Sequence, residues 1–316
     1  MRSTADNTRR RPSGATERPG GGGHTRAPLP AELPTPRSRH AAERNGEQPG
    51  RPCGTAPETN TDGDRLAAMT ATDDPAMTAY GHFTTMRVEH HAVRGLGLHL
   101  HRLVTDCAAV FSADLCPAHV RRRLRTATAE GPLTVRVTVT DPHLPLTHPA
   151  APAHPHVAVT TRAPATQTPP PLRVRSTTYE RDAPTIKHTG LFGALYERRR
   201  AQLAGYDDAL FTNHDGLVSE GVTWNIGFIR HDTIVWPQAD VLPGVTMRLL
   251  AAAHHGPQRT EPVHLSHLPR MTAAFATNAV GAIRPLAAID HTSYPTDHRV
   301  LTRLREQYAH VVPETI

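Results

Sequence analysis

The chain has 316 residues with 35 basic and 29 acidic side chains, and Lys187 is the only lysine among 34 arginines. It is long enough to bury a sizeable core, but it has no run of ~18 to 20 apolar residues and no apolar segment behind its basic N-terminus, which argues against a membrane-spanning or secreted protein. Its three cysteines show no paired spacing, which favours a reducing compartment, so we expect a cytoplasmic protein.

Residues 1–75 are predicted to form a disordered tail rich in Arg, Pro and Gly. Residues 1–64 contain no Val, Ile, Phe, Tyr or Trp, whereas Gly and Pro together fill 18 of these 64 positions. Such a segment cannot bury enough apolar surface to offset the entropy lost on ordering. A start at Met69 or Met77 is an open alternative.

Residues 78–162 are predicted to form a small α+β domain, because alternating apolar residues indicate strands and apolar residues at helical spacing indicate helices. The predicted strands span 82–88, 93–96, 133–140 and 157–161, and the predicted helices span 98–111 and 117–129. The proline-rich stretch 163–173 predicts an ordered connection between domains.

Residues 174–312 are predicted to form a larger domain. The predicted strands span 208–212, 217–219, 223–229, 233–236, 273–277 and 281–286, and the predicted helices span 191–203, 245–253 and 299–310. Many short strands with helices on the outside indicate a barrel-like α+β architecture.

Lys187 is the first candidate for chemistry. Arginine can replace lysine at solvated positions, but it keeps its proton and cannot act as an amine nucleophile. The one remaining lysine therefore indicates a position that needs a deprotonatable amine. From composition alone, an accidental remnant is an open alternative.

Four motifs follow one another around Lys187. They are TIKHTG at 185–190, GYDDALF at 205–211, SEG at 219–221 with Asn225, and LPGVT at 242–246. Their order and spacing resemble the class IV pyridoxal-phosphate aminotransferases, which include branched-chain aminotransferases, D-amino acid transaminases and aminodeoxychorismate lyases. The resemblance covers about residues 80–290 and implies a fold-type IV enzyme.

The resemblance implies a role for each matching residue. Lys187 would form the Schiff base with pyridoxal phosphate and move a proton between the substrate Cα and the cofactor C4′, and Glu220 would pair with the pyridine nitrogen. The cofactor-binding residues that it implies, in addition to these two, are Arg102, Gly244, Val245, Thr246, Thr277 and Asn278. A helix that begins at 244–246 would bind the phosphate through free backbone amides.

The substrate side matches the family less closely. The candidate substrate-binding residues are Phe83, Thr85, Arg87, Asn278 and Ala279, and the first three stand where branched-chain enzymes have an acid-glycine pattern. Phe192 occupies the position of a family tyrosine and lacks its hydroxyl. The resemblance therefore leaves the substrate open.

The sequence predicts an aminotransferase that acts on an amino acid and a 2-oxo acid, and the resemblance implies a homodimer. A lyase acting on an aminodeoxychorismate-like substrate is the second interpretation. A basic nucleic-acid-binding protein on a non-catalytic scaffold is the third, but the arginines are spread along the chain and two of their three short clusters fall in predicted helices. No zinc-type spacing of His and Cys occurs, so no metal site is expected.

Overall fold

The computed structural model describes residues 79–128, 131–164 and 169–316, all of which belong to one compact unit. The predicted disordered tail lies outside the described residues. No helix in the described ranges combines the length and apolar character that crossing a bilayer requires.

A three-stranded antiparallel sheet forms the first part. Its strands β1 (His82–Val88), β3 (Leu133–Thr140) and β4 (His156–Arg162) lie in the order β1-β3-β4, and the short β2 (Ala92–Val93) follows β1 in the chain. The helices α1 (Leu96–Phe111) and α2 (Pro117–Ala127) contribute to the core that covers one face of this sheet. The alternation expected for β3 is present, because Val135, Val137 and Val139 are buried in that core.

A nine-stranded sheet forms the second part. Its strands are β5 (Leu172–Thr178), β6 (Asp208–Thr212), β7 (Val218–Gly221), β8 (Trp224–Arg230), β9 (Thr233–Pro237), β10 (Gln258–Glu261), β11 (Ala273–Asn278), β12 (Ala282–Ile289) and β13 (Thr292–Ser293). The ring β8-β11-β12-β5-β6-β7 closes because β7 also pairs with β8, while β9, β10 and β13 extend it. The prediction of a barrel-like α+β fold is therefore confirmed.

Three helices accompany the barrel: α3 (Phe192–Leu203), α4 (Val245–Ala253) and α5 (Arg299–Ala309). One apolar cluster includes Trp224, Ile226 and Phe228, and a second joins β8, β9 and β11 to α4 and α5. A side chain at Gly227 would overlap the Phe275 ring on β11, so this position requires glycine.

Several elements differ from the predictions. The strand β10 was not expected, because its residues are polar and mostly exposed at the sheet edge, without an apolar alternation. The short 3-10 helix Leu265–Arg270 was also missed. Strand β5 begins inside the predicted connection 163–173. The final strand β14 (Glu314–Thr315) pairs with β2 and returns the chain to the first part.

Candidate active site

Lys187 lies in the loop between β5 and α3, where the small sheet meets the barrel. Its carbonyl accepts a hydrogen bond from Phe83 N at 2.9 Å, and its own N–H donates to Asp106 Oδ2 at 3.0 Å. Thr189 N also donates to Gly81 O. The backbone around the lysine is thus fixed by residues from β1, the turn before it, and α1.

The amine of Lys187 lies in a strongly positive environment. Its Nζ is 4.9 Å from the centroid of the Phe83 ring. Burial, together with the charges of Arg102, Arg181 and Arg136, lowers the pKa of Lys187 to about 7 against the opposing effect of Glu220. A pKa in this range makes the neutral amine accessible near pH 7, and the neutral amine is the form that acts as a nucleophile or a base.

Glu220 on β7 is 5% exposed and is held by three donors. Arg181 Nη1 donates to its Oε1 at 3.1 Å, Asn225 Nδ2 donates to its Oε2 at 3.2 Å, and Leu242 N lies 3.3 Å from both oxygens. Burial raises the pKa of Glu220, although Arg181 and the Leu242 amide act in the opposite direction. The carboxylate is thus oriented in a low-dielectric setting.

The N-terminus of α4 lies at the same cavity, with Gly244 as its N-cap. Arg102 from α1 donates to Pro243 O, and this hydrogen bond connects α1 to the loop before α4. A side chain at Gly244 would collide with Asn225 Oδ1. Free backbone amides at a helix start and a nearby guanidinium form a site for an anion such as phosphate.

Two hydroxyls at this end make no hydrogen bond of ordinary length to any residue that the structure describes. They are the buried Oγ1 atoms of Thr246 and Thr277, both of which belong to residues that line the cavity. Leaving a buried hydroxyl unpaired costs free energy. Their position indicates a ligand that accepts or donates hydrogen bonds there.

The cavity has a volume of about 410 Å3. Eleven of the twelve site residues predicted from the sequence line it: Phe83, Thr85, Arg102, Lys187, Glu220, Gly244, Val245, Thr246, Thr277, Asn278 and Ala279. Their individual roles stay predictions.

Arg87 is the predicted residue that the cavity does not include. It lies on the same face of β1 as Thr85, but it turns to Glu89, with Nη2 at 2.7 Å from Oε1, and it lines a separate small cavity. Phe192, at the position of the family tyrosine, does not reach the cavity either. It is 83% exposed and stacks on Tyr196.

Sequence reasoning missed four arginines that line the cavity: Arg136, Arg162, Arg181 and Arg198. Arg136 lies 3.7 Å over the Phe83 ring. Neither Arg136 nor Arg162 has a carboxylate within ion-pair distance in the described ranges. One signal was available for Arg136, which interrupts the otherwise apolar and hydroxylic strand β3 with a charge.

These residues fit the cofactor that the resemblance implies. Lys187 offers an amine for the aldehyde and Glu220 a carboxylate for the ring nitrogen. The start of α4, with Arg102 and the two buried threonine hydroxyls, offers donors for the phosphate. In the described part of the chain, no group of three or more His, Cys, Asp or Glu side chains is arranged to hold a metal ion.

Comparison with known structures places the fold among fold-type IV pyridoxal-phosphate enzymes. A branched-chain aminotransferase from Thermoproteus uzoniensis with norvaline superposes with a TM-score of 0.68 at 19% identity, over 77% of this chain and 89% of that one. A putative 4-amino-4-deoxychorismate lyase from Legionella pneumophila gives 0.67 at 20% identity, over 79% and 97%. At this identity the likeness concerns the fold.

Sequence relatives point to the same group. A probable branched-chain-amino-acid aminotransferase of Rickettsia felis is 29% identical over 128 residues, which are 38% of this chain and 44% of the relative. The corresponding protein of Synechocystis is 29% identical over 107 residues, 32% and 35%. The matched part spans less than half the length of these relatives. The sequence model of the amino-transferase class IV family matches residues 81–289, about two thirds of the chain, and the chain therefore belongs to that family.

Proposed function

We propose that this protein is a pyridoxal-phosphate-dependent aminotransferase that transfers an amino group from an amino acid to a 2-oxo acid, with Lys187 as its catalytic amine. The observation that carries the proposal is the only lysine of the chain, with its pKa lowered to about 7, in one cavity with a buried carboxylate and an anion site. When bound, the cofactor supplies an aldehyde that reacts with amines and a ring that withdraws electrons from the substrate Cα.

Lys187 would act as the base and acid of the reaction. Its neutral amine accepts a proton from the substrate Cα, and its ammonium form returns a proton at C4′ of the cofactor. A pKa near the working pH suits a group that must do both. The Phe83 ring beside Nζ excludes water from one side of the amine.

Glu220 would hold a proton at the ring nitrogen of the cofactor. Its raised pKa brings it closer to that of a pyridinium, and its hydrogen bonds to Asn225 and to Leu242 N fix its direction. Arg102 and the first amides of α4 would hold the phosphate. These residues would hold the cofactor at its phosphate and at its ring nitrogen.

The other side of the cavity suits a carboxylate. Arg136 on β3 and Arg162 on β4 lie on one face of the small sheet, since Arg136 pairs with Thr160 and Thr134 pairs with Arg162. Because both guanidinium groups lack an acidic partner among the described residues, they create a positive field that favours amino acids and 2-oxo acids.

We also propose a cytoplasmic homodimer with a small domain at 78–162, a connection at 163–173 and a large domain at 174–312. The separate apolar cores of the two sheets support the domain division. Exposed apolar side chains on α3, with Phe192 at 83%, Leu195 at 45% and Tyr196 at 50%, support self-association beside the cavity. Light scattering of the purified protein tests the dimer.

The function is tested by adding pyridoxal phosphate to the purified protein. We expect a visible absorbance band that is absent in Lys187→Ala and in Lys187→Arg, which keeps the charge but has no deprotonatable amine. Adding amino donors should then remove the band and accumulate pyridoxamine phosphate. Pyruvate release without pyridoxamine phosphate would instead indicate the lyase, and absence of the band in the unmodified chain would contradict the proposal.

A further inference from the structure

Arg181 is the residue that connects Lys187 to Glu220. Its Nη1 donates to Glu220 Oε1 and to Pro184 O, both at 3.1 Å, and its Nη2 donates to Ile186 O at 3.0 Å. Ile186 directly precedes Lys187. The guanidinium therefore links the carboxylate on β7 to two carbonyls of the loop that carries the lysine.

This link is buried. The side chains of Arg181 and Glu220 are 9% and 6% exposed, whereas the ion pair of Arg200 with Glu197 on α3 has its arginine 53% exposed. A buried carboxylate or carbonyl that loses its donor is strongly destabilised, because water cannot replace the lost hydrogen bond. Three acceptors in different directions also require the planar fork of arginine, which lysine does not provide.

We propose that Arg181 is a positioning residue that holds the loop of Lys187 against Glu220 and so fixes the separation of amine and carboxylate across the cavity. This inference rests on the proposed function in one respect, namely that the separation of amine and carboxylate serves catalysis. Without the link, the loop would be held by the backbone contacts of Lys187 to β1 and α1 and by Ile186 N to Ala183 O.

The link also affects the charge on Lys187. The charged and titratable groups that act on this amine come from α1, β3, β7 and its own loop: Arg102, Asp106, His99, Arg136, Glu220, Arg181 and His188. Loss of Arg181 removes a positive charge and leaves Glu220 without its ion-pair partner. Both changes favour the ammonium form of Lys187.

The test uses the full-length chain before pyridoxal phosphate is added. Acetic anhydride is applied at a series of pH values, and the acetylation of Lys187 is followed by mass spectrometry, which separates this lysine from the N-terminal amine. We expect the wild-type inflection near pH 7 to rise by at least about one pH unit in Arg181→Gln, which lowers the fraction of neutral amine at pH 7 by about fivefold. The matched control Arg200→Gln should leave the inflection unchanged.

A second measurement separates position from charge. Arg181→Lys keeps the charge but loses the fork, so we expect faster amide hydrogen exchange at residues 186 and 187 than in the wild type, with unchanged exchange in β11. A folded Arg181→Gln variant with the wild-type inflection would overturn the inference. If that variant does not fold, wild-type exchange at these two amides in Arg181→Lys would overturn it. Neither measurement involves the cofactor, so a failure of the proposed function is seen separately as an absent absorbance band.

Discussion

At the scale of single residues, the buried amine that makes Lys187 reactive also lowers the stability of the folded protein. Its pKa is about 7 in the folded chain and ~10.4 in an unfolded one, so between these values the unfolded chain binds more protons at this position. The contribution of Lys187 to the free energy of unfolding therefore rises with pH between about 7 and ~10.4. We expect Lys187→Met to raise the free energy of unfolding of the cofactor-free protein by about 1–3 kcal/mol at pH 6, and this gain should shrink towards pH 10.

Chemical denaturation at several pH values measures this difference. Lys187→Arg is the matched control, because arginine retains its charge over the whole range and should give no gain at any pH. A gain from Lys187→Met that is constant with pH would mean that folding does not lower the pKa of Lys187.

Some residues of the site could be predicted from the sequence and others could not. Lys187 could be predicted because it is the only lysine of an arginine-rich chain, and Glu220 because its motif resembles that of the class IV aminotransferases. Arg181 could not, since the loop after β5 reaches Glu220 on β7 only through the pairing of β5 with β6 and of β6 with β7. The family resemblance assigned Arg87 to the substrate side, but a local ion pair with Glu89 directs its side chain to a separate small cavity.

At the scale of elements, the start of α4 is prepared for a ligand. Thr246 Oγ1 is buried there beside the Tyr308 hydroxyl and makes no hydrogen bond of ordinary length among the described residues, so it is free to donate to a bound acceptor. We expect Thr246→Val to weaken the binding of pyridoxal phosphate about tenfold, the effect of one lost hydrogen bond to a charged group, while leaving the cofactor-free protein as stable or more stable. Absorbance titration and thermal unfolding measure the two quantities.

Thr302→Val is a suitable control for this substitution, because Thr302 is an exposed threonine on α5 outside the cavity. It should change neither quantity. Equal affinity of Thr246→Val and the wild-type protein for pyridoxal phosphate would show that Thr246 does not contribute to binding the phosphate.

Elements were predictable to the extent that their own residues determine them. The alternation in β3 and the helical spacing in α1 are local, and both elements lie close to the predicted positions. The edge strand β10 is polar, and it forms because it pairs in parallel with β9. The two-residue β14 exists only through its pairing with β2. Such pairings depend on contacts far apart in the sequence, which a local pattern does not contain.

At the scale of the whole molecule, the last residues of the chain join the two parts that form the cavity. Ile316 is 5% exposed and belongs to the core of the small sheet, its N–H donates to His91 O, and its carbonyl accepts from Arg125 Nε at 2.9 Å. Glu314 Oε2 accepts from Gly97 N at the start of α1, the helix that carries Arg102. The end of the chain thus supports the helix that supplies the phosphate-side arginine.

We therefore expect Ile316→Ala to lower the free energy of unfolding by about 2 kcal/mol, the lower part of the range for a buried Ile, and to speed hydrogen exchange in α1 and α2 more than in the barrel strands β8 and β11. Val312→Ala is the control, because Val312 is 81% exposed and should change stability by no more than ~0.5 kcal/mol. Because Arg102 belongs to α1, the affinity for pyridoxal phosphate should fall together with the protection of that helix. Faster exchange in α1 with unchanged affinity would show that the chain end stabilises the small sheet without supporting the cofactor site.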